Sequence, residues 1–252
     1  MPNRRPITLH YLPHVERHYR ILSHLDLGAD AANIYRRRAR TPEWTGELLE
    51  AYRAAPGRLT LQVLPLWADD LEEELELLRP GRVDALADEA GRRLTALFAD
   101  RLRSERRLLN SSSKQPAPPE WLDTLADCRR HLWSKLDEDC PPLSIIDVPS
   151  LACGDWSHGR AIGKPGRIVA VSFDAGRAAF VQVLHEEIHP VSDPVVRARF
   201  ADLDRDTRAG TEGYRLHQEL ERMAIEVGEA LVKARAPEFD EDYRRWRQRF
   251  RI

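Results

Sequence analysis

The sequence predicts a helix-dominated α+β protein with a small sheet in its C-terminal half, and three observations carry that prediction. Apolar residues recur near the 3.6-residue period through most of residues 1–110. Two β-branched runs, Leu143–Val148 and Arg167–Phe173, appear only after Pro141-Pro142. The 252 residues are 42% apolar and include six each of Trp, Tyr and Phe, enough for a sizeable core without disulfide support.

Taken in order, Pro13, Tyr11, Tyr19 and Leu22 mark a short amphipathic helix near the start. Thr41-Pro42-Glu43 reads as a helix start, with a capping hydroxyl, Pro at the first helical position and an early acid. Leu59–Leu64 alternates apolar and polar side chains as a strand would. Helical spacing returns over 68–78, and again after Pro80-Gly81 through Val83, Leu86, Ala90, Leu94, Leu97, Leu102 and Leu108. Asn110–Pro119 (NSSSKQPAPP) is Ser-rich, then Pro-rich, and divides a helical region at 1–110 from a second region at 120–252, with 111–119 as linker or loop. A helix over 120–136 leads to the two strands. Helices over 176–189, 211–234 and 238–250 complete the chain, with Pro190 expected to end or kink the first of them.

The charge balance narrows the function classes. The 39 basic residues are Lys only at 114, 135, 164 and 233, the other 35 being Arg, and 41 acidic residues interleave with them for a net charge of −2. A general attraction to nucleic acid is not expected. The basic, aromatic C-terminal stretch Arg244–Arg251 reads as helix-end cations around inward-packing Trp246 and Phe250. No apolar run approaches a membrane span, and no apolar segment follows Arg4 and Arg5, so a cytoplasmic protein without membrane attachment is expected. Cys128, Cys140 and Cys153 are odd in number and lack a paired spacing, as befits reduced thiols.

The chemistry concentrates in Phe180–His189, which contains His185-Glu186-x-x-His189. Histidines at i and i+4 lie about 40° apart around a helix, so both rings can reach one metal ion. Glu186 projects about 100° from His185, where a carboxylate can take a proton from water beside the metal. Val181, Leu184 and Ile188 anchor the helix beside the pair. A second pair, His14-x-Glu16-x-His18, has the same spacing, with His10 and His24 nearby, but no Glu follows its first histidine.

Over residues 143–235 the chain resembles the zincin metallopeptidases whose third ligand is a Glu on a following helix. The resemblance implies a zincin-like small sheet with an edge strand before the active-site helix, a place that 168–173 occupies. It implies Zn2+ held by His185 and His189, and Glu186 as general base in peptide-bond hydrolysis. Glu221-Arg222-Met223-Ala224 matches the family's Glu-x-x-Ala, with Ile225 at the place of a following Asp or Asn.

On the 211–234 helical wheel, Glu221 shares a flank with His217, Ala224 and Gly228, where small residues permit close packing. Glu219 and Glu226 lie on the opposite flank, and Glu212 falls in the first turn behind Thr211. Glu221 therefore ranks first as third ligand, ahead of Glu219, Glu212 and Glu226, while Asp193 reads as a turn residue before Pro194. Tyr214, His217 and His158 are candidate donors to a developing oxyanion. The leading expectation is a zinc peptidase acting on a peptide or protein substrate; the alternative is a non-catalytic helical interaction or regulatory protein of zincin-like shape.

Overall fold

Strand β1 (Ile7–His10) runs into helix α1 (Pro13–Leu22), where Pro13 sits at a position that needs no backbone N–H. The computed structural model describes residues 7–25, 44–105, 118–136, 139–153, 156–164, 166–198 and 210–248. Helices α2 (Thr45–Ala54), α3 (Arg58–Leu61), α4 (Leu71–Leu77) and α5 (Glu89–Glu105) complete the N-terminal part. Asp70 starts α4 by accepting the Glu73 N–H at 2.9 Å. After α6 (Leu122–Ser134) come β2 (Leu143–Asp147), β3 (Ala152–Cys153), β4 (Trp156–Ser157), β5 (Arg160–Lys164) and β6 (Gly166–Val171). The chain ends in α7 (Arg177–Arg197), α8 (Glu212–Arg235) and α9 (Asp240–Arg247).

The main sheet has the order β1-β2-β6-β5. Its first three strands are parallel and β5 is antiparallel to β6. Both faces are buried, which is why β2 and β6 are continuous β-branched runs rather than alternating ones. Ile146 and Ala170 join the core of the N-terminal helices, with Tyr19, Tyr52, Phe98 and Leu102. Ile145, Val169 and Val171 face a second core containing Phe180, Leu184, Ile188, Ala224 and Trp246. Helices thus cover the sheet on two sides, in a helix-dominated α+β fold.

Four expectations are corrected. Leu59–Leu64 is not a strand: it spans α3 and the start of a 3-10 turn at Leu64–Trp67. Arg58 is buried with Leu61 and Gln62, three and four residues on, as a helical turn requires, while Leu59 is exposed. The helix after Pro80-Gly81 starts later, at Glu89, behind a 3-10 turn at Asp84–Leu86. Pro190 does not end α7, which continues through Pro194 to Arg197 because Ser192 and Val196 are buried and Val196 packs on Leu216 and Leu220 of α8. The strand at 168–173 is interior, and β5 is the edge strand beside it. Thr41–Glu43, Leu108, most of the 111–119 linker and Phe250 lie outside the described residues. Among the described residues no helix is long and apolar enough to cross a membrane.

Candidate metal centre

Helix α7 is fixed from below by its apolar residues and from the side by an ion pair. Phe180, Val181, Val183, Leu184 and Ile188 are fully buried. Glu187, between Glu186 and Ile188, accepts the Arg129 Nε–H of α6 at 2.6 Å, and both side chains are almost wholly excluded from solvent. Arg129 also donates through Nη2 to the Pro141 carbonyl at 2.8 Å, so its charge is shared between two acceptors. These contacts turn the His185–His189 face toward α8. There Ala224 is buried, and a Cβ added at Gly228 would come within 3.0 Å of Ile188 Cδ1 while colliding with the Tyr243 hydroxyl. The small-residue flank of α8 lets the two helices approach closely.

Three donors converge at that crossing. His185 Nε2 lies 3.0 Å from Glu221 Oε2 and 3.2 Å from His189 Nε2. His189 Nε2 lies 3.8 Å from Glu221 Oε1. One ligand atom from each residue falls within 4.8 Å of the others, the only such group of three among the described residues. Ligand atoms around a tetrahedral zinc at 2.0–2.1 Å stand about 3.3 Å apart, so the 3.0 and 3.2 Å spacings from His185 already suit such an ion, and Glu221 has to turn one oxygen toward His189 to complete the set. Two imidazoles and a carboxylate are also a donor set that zinc accepts.

The electrostatics of the trio follow from its burial. Burial would depress the His189 imidazolium, but the hydrogen bond to Asp193 and the charges of Glu221 and Glu186 outweigh it and raise its pKa to about 9. Burial would raise the Glu221 carboxyl, yet the His185 hydrogen bond and the charges of His185, His189 and His217 bring it down to about 2. His158 lies close enough to feel Glu221 and His185; its burial, and then Arg160, push its pKa well below 6.5, so its ring is neutral.

The other sequence candidates separate cleanly. Glu219 and Glu226 both pair with Arg222, and Glu212 pairs with Arg215, on the outer flank of α8. His217 is half exposed, with Nδ1 3.9 Å from Glu221 Oε1. Tyr214 is half-buried on the first turn of α8, where its backbone N–H is capped by Thr211 at 3.1 Å. In the N-terminal pair, His14 Nε2 bonds the Ala68 carbonyl at 3.2 Å and His18 Nδ1 bonds Glu74 Oε1 at 2.6 Å. His10 bonds Thr8, and the His24 ring stands edge-on to Trp44.

The structure adds Trp246, Gln182 and Gly159 to the site and gives Asp193 a place in it. Trp246 of α9 packs on the His185 ring, centroids 4.8 Å apart, and its indole N–H donates to Gln182 Oε1 at 2.9 Å. An indole only donates, so the Gln182 amide must turn its NH2 toward Glu186, whose Oε1 it meets at 3.1 Å. Gly159 lies against the same pair: a Cβ there would fall 2.8 Å from Glu186 Oε1. Glu186 is thus oriented from one side and walled by backbone on the other. Asp193 stands one turn beyond His189 and accepts from its Nδ1 at 2.9 Å. The sequence reads Asp193 as a turn residue before Pro194; it lies instead within α7, where its i+4 spacing from His189 brings the two side chains together.

No protein-family model, curated protein or solved structure matches the chain.

Proposed function

We propose that this protein is a zinc-dependent peptidase of zincin type that hydrolyses peptide bonds in a cytoplasmic peptide or protein substrate. The observation that carries the proposal is the convergence of His185, His189 and Glu221 beside Glu186. His185 and His189 would hold zinc through Nε2 and Glu221 through its carboxylate; a bound zinc supplies a Lewis acid that makes water nucleophilic near neutral pH. Glu186, held by the Gln182 amide, is the proton acceptor and then the donor to the leaving amine. The neutral His158 and half-exposed His217 flank the trio as hydrogen-bonding groups for the substrate carbonyl.

The test is cleavage of a peptide library by zinc-loaded protein, followed by mass spectrometry. Wild type should cut, and Glu186→Gln should lose activity by about 10²–10⁴-fold with zinc content unchanged. Zinc-loaded wild type that binds peptides and cuts none would instead favour an interaction protein of the same shape.

A further inference from the structure

Helix α7 continues for seven residues beyond Pro190, and a second proline, Pro194, lies within that extension. Each proline removes one helical hydrogen bond and crowds the carbonyl four residues back, so a helix interior ordinarily excludes it. The extension is held by Val196, which packs with Leu216 and Leu220 of α8. One product of continuing the helix is the placement of Asp193 one turn past His189. There Oδ1 meets His189 Nδ1 at 2.9 Å, while Oδ2 faces Arg197 Nη2 at 4.0 Å.

We infer that Asp193 is the positioning carboxylate of the metal centre, carried on the same helix as the ligand it orients, and that α7 persists through its prolines to deliver it; this rests on the zinc reading above. A carboxylate only accepts, so it fixes a proton on His189 Nδ1 and reserves the Nε2 lone pair for a metal ion held between that nitrogen, His185 and Glu221. The residue after the Glu221-x-x-Ala224 arrangement cannot take this role. Ile225 is 5% exposed and belongs to the apolar core, where Tyr243 donates to its carbonyl at 2.9 Å. Asp193 therefore supplies from the histidine helix a contact that the glutamate helix lacks.

The experiment is zinc affinity of the full chain, by competition with a chromophoric chelator, for wild type, Asp193→Ala and Asp193→Asn. Asp193→Ala should bind zinc about 10- to 100-fold more weakly at unchanged helical content. Asp193→Asn keeps an acceptor at the same place and should recover most of that loss, which a merely structural role at the helix surface would not require. In the zinc-loaded wild type, proton–nitrogen NMR should show a slowly exchanging His189 Nδ1–H that is absent from Asp193→Ala. Should the alanine variant fail to fold, Asp193→Ser takes its place with the same expectation. Equal affinity of the truncated variant and wild type overturns this inference alone. Absence of zinc binding by wild type overturns the metal reading and this inference together.

Discussion

Two helices of this chain carry histidines at i and i+4, and their surroundings differ in kind. On α1, His14 and His18 turn into the N-terminal core: one ring meets the Ala68 carbonyl, the other meets Glu74 with both side chains at 0% exposure, 4.4 Å from the Phe98 ring. Between them Glu16 accepts from the Ser150 backbone N–H and hydroxyl, tying α1 to the turn after β2. On α7, His185 and His189 point Nε2 toward Nε2, and a third helix presents Glu221 to both. The spacing only places two rings on one face. What stands opposite decides: for α1 a carbonyl and a buried acid that each hold one ring, for α7 a carboxylate that both rings share.

The two helices also compare in the buried acids beside them. Glu187 of α7 and Glu74 of α4 are both buried acids that face a buried basic side chain, Arg129 and His18 respectively. Replacing Arg129 by Leu leaves Glu187 buried without its cation and should destabilise the protein by about 3–5 kcal/mol, measured by chemical denaturation. A loss under about 1 kcal/mol would mean that α7 is seated by its apolar face alone.

Replacing His18 by Ala strands Glu74 in the same way but with a weaker partner, and should cost about 1–3 kcal/mol while leaving zinc content unchanged. A fall in zinc content would break the distinction between the two pairs.

The smallest effect concerns the thiols. Burial pushes Cys128 up to about 12 from an ordinary value of 9.0. Its protonated form is kept in the folded state, so its contribution to stability is complete below pH 9 and is lost as pH rises toward about 12. At pH 8 an alkylating reagent should therefore mark half-buried Cys140 and spare Cys128 until the chain unfolds, as peptide mapping would show.

How much of this was legible in the sequence follows from what each feature depends on. The buried strands β2 and β6 and the helices α6 and α8 announce themselves through local runs and periodicity. Strand β1 does not, since four residues gain strand character only by pairing with β2, some 135 residues away. Strand β5 is hidden likewise within a Gly-containing stretch between β4 and β6. Leu59–Leu64 alternates like a strand, yet Arg58–Leu61 winds as a helical turn that buries Arg58, Leu61 and Gln62 together. In the candidate site, His185, Glu186, His189 and Glu221 were legible because helix geometry alone puts them on facing flanks. Asp193 was not, because the local rule for proline was overridden by the packing of Val196 on α8. Gln182, Trp246 and Gly159 depend on the packing of α9 and the β4–β5 segment against α7, which no local pattern records.

The most direct test of the central claim is zinc stoichiometry of three purified full-length proteins: wild type, His185→Ala/His189→Ala and His14→Ala/His18→Ala. Wild type and the N-terminal double variant should each hold roughly one zinc ion per chain, and the C-terminal double variant none. Wild type without zinc, or equal zinc in both double variants, would contradict the assignment of the metal centre to the crossing of α7 and α8.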